Sequence, residues 1–126
     1  MKRQLIFGLA ALCLVGVGAW TQQARSGPKR DQSAVIDVTA SRYRFEPAII
    51  SATQGDRVRL RIRSADVTHS LAIKAFRVKT VAPRGGEPVI VEFVADRAGT
   101  FEITCSEYCG SGHSGMKGTL VVVAKE

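Results

Sequence analysis

Beyond residue 34 the sequence lacks any stretch with the three-to-four-residue apolar spacing of an amphipathic helix, and it also lacks an internal repeat. These absences exclude a helix-rich second domain and a repeat array. With 126 residues and a hydrophobic content of 45%, the chain suits a single globular domain that buries an ordinary core.

Acidic side chains are missing from residues 1–30, which carry five basic ones. Much of the overall charge of +7 therefore comes from the start of the chain. Of the 18 basic side chains, 13 remain in residues 31–126 against 11 acidic ones, which leaves a charge of +2. This mild charge excludes nucleic acid as an expected partner.

An apolar run from Leu5 to Trp20 follows Lys2 and Arg3 and indicates export across a membrane. Its sixteen residues fall between the apolar core of a signal peptide, about 7 to 15 residues, and a spanning helix of about 20. The small residues 17–19 favour signal cleavage, whereas Trp20 at the far edge is typical of an interfacial anchor.

The N-terminal region is therefore predicted to be a signal peptide or a single membrane anchor over residues 1–24. Cys13 inside it is predicted to be a small buried hydrophobe. Polar residues 25–33 follow as a flexible tether. The domain, residues 34–126, is expected to be membrane-anchored on the periplasmic side, or soluble in the periplasm if the segment is cleaved.

Alternating apolar and polar residues mark short strands throughout the domain. In the clearest, Arg57–Arg63, three apolar residues alternate with four arginines, as expected for one dry and one wet face. The arginine row could dock a partner, but it is interpreted as a solvated face whose charges discourage edge pairing. The other predicted strands are Ala34–Ala40, Tyr43–Ile50, His69–Ile73, Phe76–Val81, Pro88–Val94, Thr100–Cys105 and Thr119–Ala124. Together they predict an all-β, two-sheet sandwich with Greek-key connections, preceded by the single N-terminal hydrophobic segment.

Histidine and methionine are scarce, with two residues each, and there are three cysteines. Even so, the twelve-residue stretch Cys105–Met116 holds two of the cysteines, one histidine and one methionine. Gly110, Gly112 and Gly115 are predicted to supply left-handed backbone angles that turn these side chains toward one point. The stretch is typical of a metal-binding loop.

Strand parity brings two side chains to the same place. If Leu71 and Ile73 face the core, His69 at the start of that strand faces it too. The same parity turns Cys105 inward beyond Ile103. We therefore expect five candidate ligands at one end of the sandwich, namely His69, Cys105, Cys109, His113 and Met116.

Thiolate, imidazole and thioether groups together are the set that soft, redox-active copper prefers. Two alternatives stay open. Zinc could use Cys105, Cys109, His69 and His113 in a tetrahedron. In an exported protein, the two cysteines could also form a disulfide when no metal is bound.

These residues resemble a known family. Cys105, Glu107, Cys109, His113 and Met116, with the upstream run Asp66-Val67-Thr68-His69-Ser70, are similar to the copper A (CuA) domain of cytochrome c oxidase subunit II, a module with the cupredoxin fold. The resemblance implies two copper ions bridged by Cys105 and Cys109. It implies that His69 and Met116 complete one copper, and that His113 and the backbone carbonyl of Glu107 complete the other. It also allows a magnesium ion at the Glu107 side chain, shared with the catalytic subunit.

The resemblance implies an electron-transfer subunit of a haem-copper oxidase, which takes electrons from cytochrome c or another redox donor and does not reduce oxygen alone. The alternative is a free-standing exported copper protein for storage, delivery or sensing. The chain departs from the family in having at most one membrane segment and little net negative charge. Arg42-Tyr43-Arg44-Phe45, without tryptophan, replaces the usual aromatic cluster. We therefore expect a donor other than a strongly basic cytochrome c.

Overall fold

The computed structural model describes residues 35–126, so the predicted hydrophobic segment and tether lie outside the described residues. The described part is built from nine strands, with short 3₁₀ turns at Lys74–Phe76 and His113–Gly115. The strands are β1 (Val35–Ser41), β2 (Arg44–Glu46), β3 (Ile49–Thr53), β4 (Arg57–Ser64), β5 (His69–Ile73), β6 (Val78–Ala82), β7 (Val89–Val94), β8 (Gly99–Thr104) and β9 (Lys117–Val123). Within residues 35–126, no helix has the length and apolar character needed to cross a membrane.

The strands form two sheets, with the orders β2-β1-β4-β7 and β3-β9-β8-β5-β6. Two neighbouring pairs are parallel, β1 with β4 and β3 with β9, and the others are antiparallel. The inward residues of both sheets pack as one core, in which Leu60, Ile62, Leu71 and Leu120 are fully buried. Each such side chain contributes roughly 1.5–3 kcal/mol. The all-β sandwich predicted from alternation is confirmed.

One predicted strand is wrong, because Tyr43–Ile50 is divided between the two sheets. β2 pairs with β1 in the first sheet, whereas β3 pairs with β9 in the second. Pro47 lies between them, has no N–H group to donate to a ladder, and follows a cis peptide bond with Glu46. The chain therefore changes sheets at the one residue in this run that cannot continue a strand.

The arginine row of β4 lies on the outer, solvated face, as predicted. It does not protect a sheet edge, however, because β4 lies between β1 and β7 in the interior of its sheet. Neighbouring strands supply acidic partners. Glu92 of β7 lies 3.7 Å from Arg57 and 2.5 Å from Arg59, and Asp37 of β1 accepts two hydrogen bonds from Arg61. Pairing with acidic residues across strands, rather than repulsion at an edge, thus accounts for Arg57, Arg59 and Arg61 in this row.

At one end of the sandwich, the side chains at the ends of two strands point into the core. Every residue of β5 is buried, including His69 at its start. Beyond β8, Cys105 is 6% exposed and follows the buried Ile103 by two residues. The loop that joins β8 to β9 begins at this point.

Candidate metal centre

The loop from Cys105 to Met116 connects two antiparallel neighbours, β8 and β9, and returns on itself. The N–H group of Cys105 donates to the carbonyl of Met116 at 3.4 Å, which closes the base of the loop. Within it, the 3₁₀ turn His113–Gly115 is followed by Met116, which lies immediately before β9 and is 1% exposed. The loop is therefore anchored to the sandwich at both ends.

Three side chains of this loop lie close to the sulfur of Cys109. Cys105 Sγ lies 3.9 Å from Cys109 Sγ, Met116 Sδ lies 3.8 Å from it, and His113 Nδ1 lies 3.7 Å from it. A ring nitrogen of His69 and the two cysteine sulfurs all lie within 4.8 Å of one another. The structure thus brings together all five side chains expected at this end.

Glu107 contributes its backbone rather than its side chain to this cluster. The Glu107 carbonyl oxygen lies 3.2 Å from Cys105 Sγ. The residue as a whole is half-buried. A carbonyl oxygen beside a sulfur is a sixth donor atom within reach of an ion held there.

The ring of His69 is oriented by a carboxylate. His69 Nε2 lies 2.6 Å from Asp66 Oδ1. Partial burial acts to raise the pKa of Asp66, but hydrogen bonds from the Arg42 N–H, the His69 ring and the Val67 N–H outweigh it and lower this pKa to about 2. An ionised carboxylate only accepts hydrogen bonds, so the proton of neutral His69 lies on Nε2.

This tautomer leaves a lone pair on Nδ1 of His69, which is buried and has no hydrogen-bond partner among the described residues. A buried nitrogen without a partner is costly unless something binds it. A carboxylate on the other ring nitrogen is the usual support of a metal-binding histidine. The donor set and this unpaired nitrogen fit a soft metal ion.

The two cysteines are free thiols in the structure. Burial, followed by the adjacent Cys105, raises the pKa of the Cys109 thiol to about 11. The buried Cys109 sulfur does not ionise readily by itself, because its surroundings offer a thiolate little solvation. A cation bound between the sulfurs supplies the missing stabilisation, since a coordinating thiol is deprotonated by the metal.

The glycines of the loop differ from their predicted roles. Only Gly110 has a left-handed backbone, with φ of 137°, whereas Gly112 has φ of −88° and Gly115 is not left-handed. Gly112 instead leaves room for Tyr43, because a Cβ atom there would lie 2.4 Å from that ring. Close packing, and not backbone angle, requires glycine at 112.

Tyr43 and Arg42, between β1 and β2, both contact the ligand loop. Arg42 donates from Nε to the carbonyl of Cys109 at 3.0 Å, and its backbone N–H donates to Asp66 at 2.8 Å. Tyr43 is 37% exposed and Phe45 is buried at 1%. Of the two aromatic residues in Arg42-Tyr43-Arg44-Phe45, only Tyr43 reaches the surface, since alternation along β2 turns Phe45 into the core.

Three residues that support the site, Asp66, Ser70 and Arg42, were not predicted from the sequence to do so. The spacing of Asp66 three positions before a candidate ligand histidine was a usable signal for a supporting carboxylate. Arg42 and Ser70 contact residues 67 and 36 positions away, respectively. No local pattern indicates such contacts.

A β-sandwich whose soft donors converge from one strand and from the loop before the last strand defines a cupredoxin-like metal-binding domain. A family model described as the periplasmic domain of cytochrome c oxidase subunit II matches residues 35–124. The chain belongs to the cytochrome c oxidase subunit II family. The match to its periplasmic domain places the described part on the extracytoplasmic side of the membrane.

Relatives and solved structures agree with this family. Cytochrome c oxidase subunit 2 of Thermus thermophilus is 32% identical over 110 residues, which cover 83% of this chain and 78% of the relative. A second protein of the same description from that species is also 32% identical, and the chain spans 62% of its length. The crystal structure of the periplasmic domain of subunit II of cytochrome oxidase (CoxB) of Bradyrhizobium japonicum shares the fold. Its TM-score is 0.65 at 23% identity, over 72% of this chain and 84% of that one.

Proposed function

We propose that this domain transfers electrons through a binuclear copper A centre, as subunit II of a haem-copper oxidase. The proposal is carried by the two cysteine sulfurs, 3.9 Å apart, with the Glu107 carbonyl 3.2 Å from one of them. A mononuclear copper site of the blue type uses one thiolate, two histidines and a weak axial ligand, so a second buried cysteine would be superfluous. When bound, two copper ions bridged by thiolates supply one-electron transfer with the electron shared between them.

The residues of this chain divide between the two metal positions. Cys105 and Cys109 are assigned as bridges. His69 and Met116 are assigned to one copper, and His113 and the Glu107 carbonyl to the other. These ligands come from β5, from the end of β8 and from a loop closed at its base, so they are held in one arrangement by the sandwich. A rigid arrangement favours electron transfer because little reorganisation accompanies the change in charge.

The partners follow from the same proposal. The acceptor is the catalytic subunit of the oxidase, and the donor is cytochrome c or another redox protein. The Glu107 side chain is proposed to hold a magnesium ion at the boundary with the catalytic subunit. Residues 1–24 are proposed as the membrane anchor, or as a signal peptide that is cleaved.

Copper loading of the reduced protein tests the proposal. We expect two copper ions per chain and, in the oxidised protein, an electron paramagnetic resonance signal whose hyperfine structure shows one electron shared by two copper nuclei. One copper per chain with a signal from a single nucleus would rule the binuclear centre out. Zinc bound in preference to copper would contradict it as well.

The alternative, a free-standing copper protein for storage, delivery or sensing, differs in how readily the same residues must release copper. Delivery requires that copper leaves readily, whereas an electron carrier keeps its metal through many redox cycles. Measuring copper loss to a competing chelator over repeated reduction and oxidation separates the two. Loss within a few cycles would favour the delivery protein.

We predict that a strongly basic cytochrome reduces the domain slowly at low salt and faster as salt increases. Arg42 contacts the ligand loop, and Arg44 lies two residues away on the exposed face of β2. Like charges slow the encounter of two proteins, and salt screens this repulsion. Stopped-flow reduction by one basic and one acidic cytochrome, over a range of ionic strength, measures the effect.

Two charge variants sharpen this measurement. Arg44→Gln should weaken the salt dependence, whereas Lys79→Gln should leave it unchanged because Lys79 lies opposite Ala72, away from the His69 end of β5. A basic cytochrome that reacts fastest at the lowest salt would show that acidic surface controls docking. Reduction rates that do not change with salt concentration would instead indicate an apolar docking contact near His113 and Met116.

A further inference from the structure

The first half of the ligand loop is not held to β5 by a strand ladder. Among the described residues, β5 and β8 share one pair of opposed positions, Ala72 and Thr104. Extending this antiparallel register by two residues would place Ser70 opposite Ser106, immediately after Cys105. The chain leaves the sheet before that point, because β8 ends at Thr104.

A side chain takes the place of the missing ladder. Ser70 is fully buried, and its hydroxyl oxygen accepts the backbone N–H of Ser106 at 2.7 Å and that of Glu107 at 3.0 Å. It also lies 2.8 Å from the hydroxyl oxygen of Ser106. Three contacts therefore converge on one atom of β5, next to His69.

The hydrogen-bonding capacity of Ser70 accounts for all three contacts. A hydroxyl oxygen has two acceptor positions and one proton to donate. Both acceptor positions are taken by the two amides, so the proton is donated to the hydroxyl oxygen of Ser106. Ser106 is exposed and can donate its own proton to solvent.

We propose that Ser70 is a positioning residue, which sets the Glu107 carbonyl beside Cys105 and holds the loop in register with His69. The argument rests on the proposed function, because this carbonyl is assigned there as a copper ligand. The hydrogen bond to the Glu107 N–H fixes the peptide plane between Ser106 and Glu107. This limits the directions in which the Glu107 carbonyl can point. Without the Ser70 hydroxyl, the ligands on β5 and on the loop lose their direct connection.

The test compares Ser70→Ala with the matched variant Ser106→Ala in the full chain. Ser70→Ala removes all three contacts, whereas Ser106→Ala keeps both amide bonds to Ser70. We expect Ser70→Ala to lose copper to a chelator about 10- to 100-fold faster, the usual effect of removing support behind a metal ligand. Its hyperfine pattern should also change, while Ser106→Ala stays within about threefold of the parent rate.

Amide hydrogen exchange of the metal-free protein gives a measurement that does not involve copper. In the parent protein, the amides of Ser106 and Glu107 should exchange more slowly than exposed loop amides such as that of Ser111. In Ser70→Ala they should exchange about tenfold faster, with the amides of β9 unchanged.

The outcomes separate the two proposals. If the parent protein binds no copper pair but its two amides are protected through Ser70, the proposed function fails and the structural role of Ser70 stands without its link to copper. Parent amides that exchange as fast as that of Ser111 overturn the role of Ser70, even if Ser70→Ala does not fold. Parent-like copper loss and hyperfine structure in a folded Ser70→Ala protein overturn it too.

Discussion

Cys105→Ser should leave at most one copper ion per chain and should abolish the spin signal shared by two nuclei. Cys105 Sγ lies 3.9 Å from Cys109 Sγ, and the proposed centre needs both sulfurs to hold two copper ions. A serine hydroxyl is a hard, weakly acidic donor that does not replace a thiolate for a soft metal. Copper content and electron paramagnetic resonance of the loaded variant measure the change.

The control for this substitution is Cys13→Ser, which makes the same chemical change in the N-terminal apolar run and should leave both coppers in place. Thermal unfolding of the metal-free variants should show that Cys105→Ser is folded, since burying an unpaired hydroxyl typically costs about 1–3 kcal/mol in proteins. A Cys105→Ser protein that keeps two coppers and the shared signal would refute the bridging role.

Gly112→Ala should disorder the ligand loop, whereas Gly115→Ala should have little effect. A Cβ atom at residue 112 would lie 2.4 Å from Cδ2 and 2.6 Å from Cγ of Tyr43, which is inside the contact distance of a ring. At residue 115 a Cβ atom would meet nothing within 4 Å. We expect Gly112→Ala to lose about 1–3 kcal/mol of stability, as overpacked sites do, and Gly115→Ala to stay within about 0.5 kcal/mol.

A double variant tests the cause. If the collision is with the ring, Tyr43→Ala combined with Gly112→Ala should be less destabilised than the sum of the two single changes, by about 1 kcal/mol or more. Urea unfolding of the metal-free proteins gives the free energies, and copper affinity shows the effect on the site. Additive effects, or equal effects at residues 112 and 115, would show that Tyr43 does not set the requirement for glycine.

Much of the fold follows from local patterns in the sequence. Alternation of apolar and polar residues located the strands, because a pleated strand turns successive side chains to opposite faces. The same alternation predicted that His69 and Cys105 face inward, and both are buried. It failed at Tyr43–Ile50, where the pattern continues across Pro47 although the chain passes from one sheet to the other.

Local patterns in the sequence were enough to predict the sandwich, the inward orientation of the side chains at two strand ends, and the cluster of soft donors between residues 105 and 116. These depend on the period of a strand and on the chemistry of side chains, which are local properties. The support of the site depends on contacts that form when the chain folds. Asp66 orients His69, Ser70 holds the backbone after Cys105, and Tyr43 packs against Gly112. The contacts of Ser70 and Tyr43 join the ligand loop to residues far away in the chain, so they exist only once the strand order brings these residues together.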